Sequence, residues 1–475
     1  MSEPSFHPAS PYLRFGHETF LDARGREVVP AILPGTASSM FIPVDLANLL
    51  NEGGIPGGTV SPEGLRQLRE VGVVVDSQDE ARASHYARMR QASADPGMRK
   101  FVLLPTSYCN MGCSYCGQEH RKGSTSPRHR AVVAARVRRA AQSTAVSRIQ
   151  VGWFGGEPLM AYHAIKEMSR EFRHHAQTNG IAYAASIVTN GSLLTERKIA
   201  TLVETCAVTR FDITLDGLAD VHDAHRPLKS GAKSFDRLVG LLSQTVADPR
   251  YAHVHFVLRT NVDIENCEHV TPYLEEMARL GFGGRSNVMF QLAAIHTWGN
   301  DVRAQQMEHG AYVRREVEWL DLMTRLGLNT ALLPTSPKPQ TCTATGAANE
   351  VIASDGSLYS CTEHPLVPAH EQADRLAWVD GLPSTQLRPQ GAFDDWAQHV
   401  GEGKAMCSSC WLLPACGGSC PKLWREGEVP CPPVKFNIKE RLSIVARKAG
   451  MQTVDSFPAP SAPTVTTAPT EQVAK

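Results

Sequence analysis

The chain has 475 residues, with 48 Lys+Arg balanced by 48 Asp+Glu, 42% hydrophobic and 20% charged residues. That balance provides no global field for nucleic acid or a membrane surface, and the length allows a large core shared among roughly two or three domains. No run reaches the ~20 apolar residues of a membrane span, and the N-terminus MSEPSFHPASPYLRFG lacks a basic-then-apolar export signal.

A cytoplasmic location is therefore expected, with no nucleic-acid and no membrane partner. In that reducing compartment the 12 cysteines point to metal rather than to a disulfide framework.

Residues 1–95 read as a small α+β unit. PYLRF, ETFLD and VVPAIL are strand-like, and FIPVDLANLLNEG is helix-like. IPGGTVSPEG breaks the pattern, after which Ser61 caps a second short helix with Pro62 at its first position. LRQLREVGVVVDSQDE continues as helix, then turn and strand.

Over 96–330 the strands KFVLLPTS, RIQVGWFGG, YAASIVTN, RFDITLD, HVHFVLRTN and NVMFQLAAI alternate with helices such as HRAVVAARVRRAAQS, AIKEMSREFRHHAQ and TERKIATLVETC. Such repeats predict an α/β fold with a parallel sheet, a partial (β/α)6 TIM-type barrel. Arg128, Arg130, Arg136, Arg138 and Arg139 read as the solvated face of a helix. Residues 303–327 read as one long amphipathic helix closing the barrel. Residues 331–440 are rich in turns and cysteines, and the Pro/Thr/Ala-rich stretch 452–475 reads as a disordered tail.

The chemistry concentrates at strand ends, where barrels of this type place it. Cys109-x3-Cys113-x2-Cys116 follows the first barrel strand directly. Three thiolates can hold three irons of a cubane cluster and leave the fourth iron open, although zinc or redox duty is also compatible with the triplet, and His120 lies close by. After the second strand comes Gly155-Gly156-Glu157-Pro158, in which the glycines admit close backbone approach and the carboxylate can accept from an ammonium group.

The third and fourth strands end in Thr189-Asn190-Gly191 and Thr214-Leu215-Asp216-Gly217, where Asn190 and Thr214 are polar positions that can reach a bound ribose or carboxylate. His222, Asp223 and Arg226 follow and can bind or simply brace the loop. Lys233 and Arg259 can pair with a carboxylate or stand as surface charges. The second cysteine set is Cys342-x13-Gly356-x4-Cys361, then Cys407, Cys410, Cys416, Cys420 and Cys431, for which a zinc ribbon is the structural alternative. Cys206 and Cys267 match no motif and read as buried apolar thiols.

With Tyr115 just before its third cysteine, the triplet resembles the radical S-adenosylmethionine enzymes, and GGEP one βα unit later fits the same family. The second set resembles, spacing for spacing, the SPASM auxiliary-cluster domain. The resemblance implies a radical SAM [4Fe-4S] cluster on Cys109, Cys113 and Cys116. It implies S-adenosyl-L-methionine held by Tyr115, Gly155, Gly156, Glu157, Asn190, Thr214, Asp216, Lys233 and Arg259. It also implies two auxiliary clusters: Cys407, Cys410, Cys416 and Cys431 would close the outer one, and Cys342, Cys361 and Cys420 would hold the inner one. No eighth cysteine follows Cys342, which leaves an open iron or a ligand such as His364 or Asp355.

The implied activity is cleavage of S-adenosylmethionine to a 5′-deoxyadenosyl radical that abstracts hydrogen from a ribosomal peptide residue, forming an oxidative cross-link. The implied partners are a precursor peptide or protein and an electron donor such as flavodoxin or ferredoxin. The N-terminal unit would be a leader-peptide recognition unit or a plain structural cap. Gly117-Gln118 departs from an aromatic residue common in relatives and leaves the bond formed open. A formylglycine-forming sulfatase maturase, a quinone-cofactor or small-molecule maturase, and a non-catalytic electron-transfer protein remain alternatives.

Overall fold

The computed structural model describes residues 6–458, and among these short antiparallel strands build the smaller of two units, residues 6–84, 335–337 and 438–458. Its strands are β1 (Phe6–Pro8), β2 (Arg14–Phe15), β3 (Glu18–Leu21), β4 (Glu27–Leu33), β5 (Ser38–Pro43) and β6 (Gly54–Pro56). β1 pairs with β6, while β2, β3 and β5 pair with β4. Helix α1 (Val44–Asn51) buries Leu50 against Val29, Leu33, Ile42 and Ile55. Helix α2 (Pro62–Val71) starts as its sequence predicts: Ser61 Oγ accepts the Gly64 N–H at 3.1 Å.

The chain after α2 differs from expectation. The predicted strand contributes a single bridge, Ala9 to Val74, and a 17-residue helix α3 (Gln78–Ala94) follows. Only His85 and Met89 of α3 are buried, so the helix has no apolar stripe to betray it. The expected tail is also corrected at its start. Gln452–Ser456 forms a fully exposed strand paired antiparallel with β3, ordered by backbone pairing rather than apolar burial. The rest of that tail, 459–475, lies outside the described residues.

In the larger unit, residues 85–334 and 338–437, six parallel strands neighbour one another in chain order. They are β7 (Met98–Leu103), β8 (Arg148–Trp153), β9 (Ala182–Thr189), β10 (Val208–Thr214), β11 (His255–Val262) and β12 (Val288–Ala294). Helices α4 (Pro127–Ala141), α5 (Tyr162–Thr178), α6 (Glu196–Glu204), α7 (Ala219–His225), α8 (Phe235–Ala247) and α9 (Val270–Met277) connect them, and α10 (His309–Arg325) follows β12. Period-two alternation gives the sheet two different faces. Phe211, Ile213, Phe256 and Leu258 are fully buried, with the Phe211 and Phe256 rings stacked at 5.3 Å. Their neighbours Arg210, Asp212, Thr214, Arg259 and Asn261 line a cavity instead. Helix α10 begins later than predicted because Glu308 caps it, accepting from the Gly310 and Ala311 N–H groups at 2.8 and 2.7 Å.

The sheet continues past β7. β13 (Glu350–Ile352) runs parallel to β7, and β14 (Ser357–Tyr359) and β15 (Ala377–Trp378) extend it antiparallel to nine strands. Gly356 turns between β13 and β14 with φ +91°, where an added Cβ would lie 2.9 Å from His129 Nε2. The reading of Arg136 as solvated is overturned. It is 2% exposed and grips the buried Glu350 through Nε and Nη2 at 2.8 and 2.7 Å, while Arg99 shares the same carboxylate at 2.8 Å. A carboxylate buried at the head of β13 demands a buried cation, and α4 supplies it. Among the described residues, no helix is long and apolar enough to cross a membrane.

Candidate active site

The C-terminal ends of the parallel strands surround a cavity of about 560 Å³, the size range of small-molecule sites. Cys109, Cys113 and Cys116 reach it from the loop after β7, Gly155 and Gly156 from β8, and Asn190 from β9. Thr214 comes from β10, and Arg259 and Asn261 from β11. Burial pushes the Cys109 thiol up to about 11, against the Met111 N–H, while nearby Glu157, Cys113 and Cys116 push the same way. Met111 N–H and Asn190 Nδ2 donate to Cys109 Sγ at 3.4 and 3.8 Å. A buried thiol with two N–H donors aimed at its sulfur, beside Cys113 and Cys116 on the same cavity wall, fits an iron–sulfur core, whose positive charge would deprotonate it. Asn190 is itself held by Asn110 Oδ1 and by the Ser192 N–H and hydroxyl, at 2.9, 2.9 and 2.7 Å.

Tyr115 anchors the third cysteine's end of the loop. Its hydroxyl donates to Asp216 Oδ2 at 2.6 Å and accepts from Arg226 and from Asn261 Nδ2. Asp216 also accepts the Asn261 N–H at 2.8 Å, and His225 links it to Asp263, whose carboxylate lies 2.8 Å from Nε2. Burial alone would lower the His225 pKa, but its hydrogen bonds to Asp216 and Asp263 raise it from 6.5 to about 9. A raised base contributes fully below pH 6.5 and loses that contribution as pH climbs through about 9. Anaerobic melting curves should therefore drop between about pH 8 and 10, and His225→Gln should flatten that slope. An unchanged slope in the variant would remove His225 from the account.

Glu157 departs from expectation. It is 0% exposed and turned inward, accepting from the Leu159 N–H, Thr189 Oγ1 and Asn190 N–H at 2.9, 2.7 and 2.7 Å. It therefore pins the ends of β8 and β9, and the glycines before it meet the cavity. A Cβ on Gly156 would sit 2.4 Å from the Tyr108 carbonyl oxygen and 3.1 Å from the Cys109 nitrogen. Gly156→Ala should displace the cysteine loop and weaken S-adenosylmethionine binding roughly tenfold or more in equilibrium dialysis. Wild-type affinity in that variant would show that the loop yields freely.

The second cysteine set falls into two groups. Burial pushes Cys407 up to about 12, and the charges of Cys416, Cys410 and Cys431 push it further. Lys435 Nζ donates to Cys431 Sγ at 3.2 Å. Burial likewise raises Cys361 against the Glu363 N–H, with the charges of Glu363, Cys342 and Cys420 adding to the rise. Beside that second group a further cavity of about 480 Å³ is lined by Lys100, Thr343 and Thr362. It shares Phe154, Val188, Arg210, Asp212 and Thr362 with the first, so the two cavities adjoin.

Residues 103–244 match the profile of the Radical SAM superfamily. The chain carries a radical SAM domain. An uncharacterized protein of Methanocaldococcus jannaschii is 26% identical over 271 residues, 56% of this chain and 85% of the relative. The serine-type anaerobic sulfatase-maturating enzyme of Klebsiella pneumoniae is 25% identical over 345 residues, 66% of this chain and 79% of the relative. The structure of native anSMEcpe with bound AdoMet and Cp18Cys peptide shares the fold at a TM-score of 0.54 and 18% identity, covering 74% of this chain and 98% of that one.

Several predicted residues stand elsewhere than expected. Lys233 is an exposed partner of Asp220 at 3.6 Å and lies outside the residues lining the cavity. Asp216 is buried behind Tyr115, and His222 accepts the Asp216 N–H at 3.2 Å, so both brace the loop. Arg259 lines the cavity, with Nε donating to Asn261 Oδ1 at 2.8 Å. His120 lines it too, and burial lowers its pKa to about 4, with Lys229 acting the same way.

Cys206 is buried, but Cys267 is only half-buried. Asp355 is taken up by Ser357 in the hairpin turn, at 2.9 Å to its N–H and hydroxyl. Phe154, Gln291, His296, Trp298 and Glu363 also line the cavity and were not singled out by sequence. Trp298 explains the unusual Gly117, since its carbonyl lies 2.1 Å from where a Cβ would be.

Proposed function

We propose that this protein is a radical S-adenosylmethionine oxidoreductase that modifies a peptide or protein, with two auxiliary [4Fe-4S] clusters beside an incomplete barrel. The supporting observation is the pair of adjoining cavities that run from the Cys109 loop past Arg210 and Asp212 to Thr343 and Thr362, the chain neighbours of Cys342 and Cys361. S-adenosylmethionine on the first cluster would supply hydrogen-atom abstraction from an unactivated C–H bond.

The chain's own residues bind and orient. Cys109, Cys113 and Cys116 hold iron, and Gly155 and Gly156 admit the methionine end of the cofactor. Asn190, Thr214 and Arg259 offer hydrogen bonds to its ribose and carboxylate. The Tyr115–Asp216–Arg226 network keeps the loop in place while substrate comes and goes. The two auxiliary groups of cysteines would take up an electron as the product forms, making the net change an oxidation. An oxidative cross-link in a ribosomal peptide is the first reading of that product. Formylglycine formation is the second, favoured by the Klebsiella relative and by the peptide seen in anSMEcpe. The exposed C-terminal strand Gln452–Ser456 offers an edge where an extended peptide could add to the small sheet.

The test is anaerobic reconstitution, then dithionite and S-adenosylmethionine, with and without short peptides translated from adjacent reading frames. Release of 5′-deoxyadenosine with an oxidised peptide in the mass spectrum is expected, and fragmentation separates a cross-link from an aldehyde. Full iron loading with no 5′-deoxyadenosine under any of these conditions would overturn the enzyme reading in favour of electron transfer.

A further inference from the structure

Behind Cys361, and apart from the cavity, two histidines and an aspartate converge. His364 is 1% exposed, and neither of its ring nitrogens has a hydrogen-bond partner among the described residues. A buried imidazole with both nitrogens unmatched is unfavourable unless something else occupies them. His364 Nε2 lies 3.8 Å from Asp374 Oδ2, and His370 Nδ1 lies 2.9 Å from the same oxygen. One ligand atom from each of the three side chains falls within 4.8 Å of the others. Donors on a tetrahedron around zinc, each about 2.0–2.1 Å from the ion, stand about 3.4 Å apart, a spacing between the two measured here. We propose that His364 Nε2, His370 Nδ1 and Asp374 Oδ2 bind a divalent transition metal, zinc by their two-nitrogen, one-oxygen donor set, with water in the fourth position.

The outer contacts are those a metal site needs. His370 Nε2 lies 3.2 Å from Glu426 Oε1, so the carboxylate fixes the tautomer that exposes Nδ1. Arg425 Nη2 lies 3.1 Å from Asp374 Oδ1 and leaves Oδ2 to the ion. Burial lowers the pKa of His364, so its ring is neutral and can ligate. The two imidazoles stack at 5.1 Å, and His370 and Asp374 are each 14% exposed, which gives the ion a route in from solvent. The ion would clamp residues 361–374, the segment that carries Cys361 and turns Glu363 into the cavity.

An ordinary His–Asp hydrogen bond without metal is the competing account. The proposal is tested on full-length protein with its complete iron content, incubated with Zn²⁺ and dialysed against a chelator of micromolar affinity. About one retained zinc per chain is expected, with a zinc-edge X-ray absorption shell of N/O donors at about 2.0–2.1 Å and imidazole outer scattering. His370→Phe, which keeps the stacked ring, and Asp374→Asn, which keeps the shape, should each lose that zinc with iron unchanged. Either variant suffices should the other fail to fold. No retained zinc, a sulfur-dominated shell at about 2.3 Å, or wild-type zinc in both variants would overturn the site. The outcome is independent of whether the protein cleaves S-adenosylmethionine.

Discussion

With the three clusters proposed above, replacing Cys109, Cys113 and Cys116 together by alanine should remove about four of about twelve irons per reconstituted chain and reduce 5′-deoxyadenosine release to background. Both effects are expected because these thiols act as a set. Burial raises the pKa of Cys109 and Cys116, and the sulfur of Cys109 is held by N–H donors from Met111 and Asn190. The fold around them should survive, since Glu157 ties β8 to β9 and Asp216 ties β10 to β11 without any sulfur.

The complementary variant, Cys407, Cys410, Cys416 and Cys431 to alanine, should also remove about four irons. It should leave S-adenosylmethionine binding within about twofold of wild type, since that group of thiols senses its own members and is absent from the cavity lining. Equal iron loss with equal loss of S-adenosylmethionine binding in both variants would mean that the two sets are not separate centres.

Much of this site was legible in the sequence because spacing carries it. Cysteine intervals, GGEP and the strand-ending TNG and TLDG each sit in one short segment, and strand alternation in RFDIT and LRTN separates cavity residues from core. The residues that were missed depend on the far part of the chain. Glu157 looks like a ligand contact until Thr189 and Asn190, more than thirty residues away, are seen to use both of its oxygens. Lys233 sits in a motif-like segment, yet only the fold shows it outside the cavity lining. Trp298, His296 and Glu363 arrive on loops with no local pattern. Arg136 is the clearest case. Five arginines in one stretch have the composition of a solvated face, and the partner that draws one of them inward is 214 residues downstream.

That partner carries the largest expected effect on stability. Glu350→Ala should destabilise the larger unit by about 3–5 kcal/mol, because it leaves the buried guanidinium of Arg136 and the half-buried one of Arg99 with no carboxylate between them. Arg136→Met removes the opposite charge and should also destabilise, but by a different route, since Glu350 keeps Arg99 while the Pro383 and Gln386 carbonyls lose their donor. Combining Arg136→Met with Glu350→Leu should recover part of the loss, leaving a coupling energy of roughly 1.5 kcal/mol or more in anaerobic denaturant titrations.

The damage should be local before it is global. Glu350 lies opposite Phe101 in the β13–β7 pairing, and β13 and β14 form the chain between Cys342 and Cys361. Amide exchange across 349–360 should therefore accelerate, and iron held by Cys342, Cys361 and Cys420 should be lost while iron at Cys109, Cys113 and Cys116 stays. Uniform exchange throughout the unit, or a loss below about 1 kcal/mol, would identify the triad as an ordinary surface-like pairing. The opposite result would mean that one buried carboxylate joins the strand leading into the first cysteine loop to the hairpin leading into Cys361.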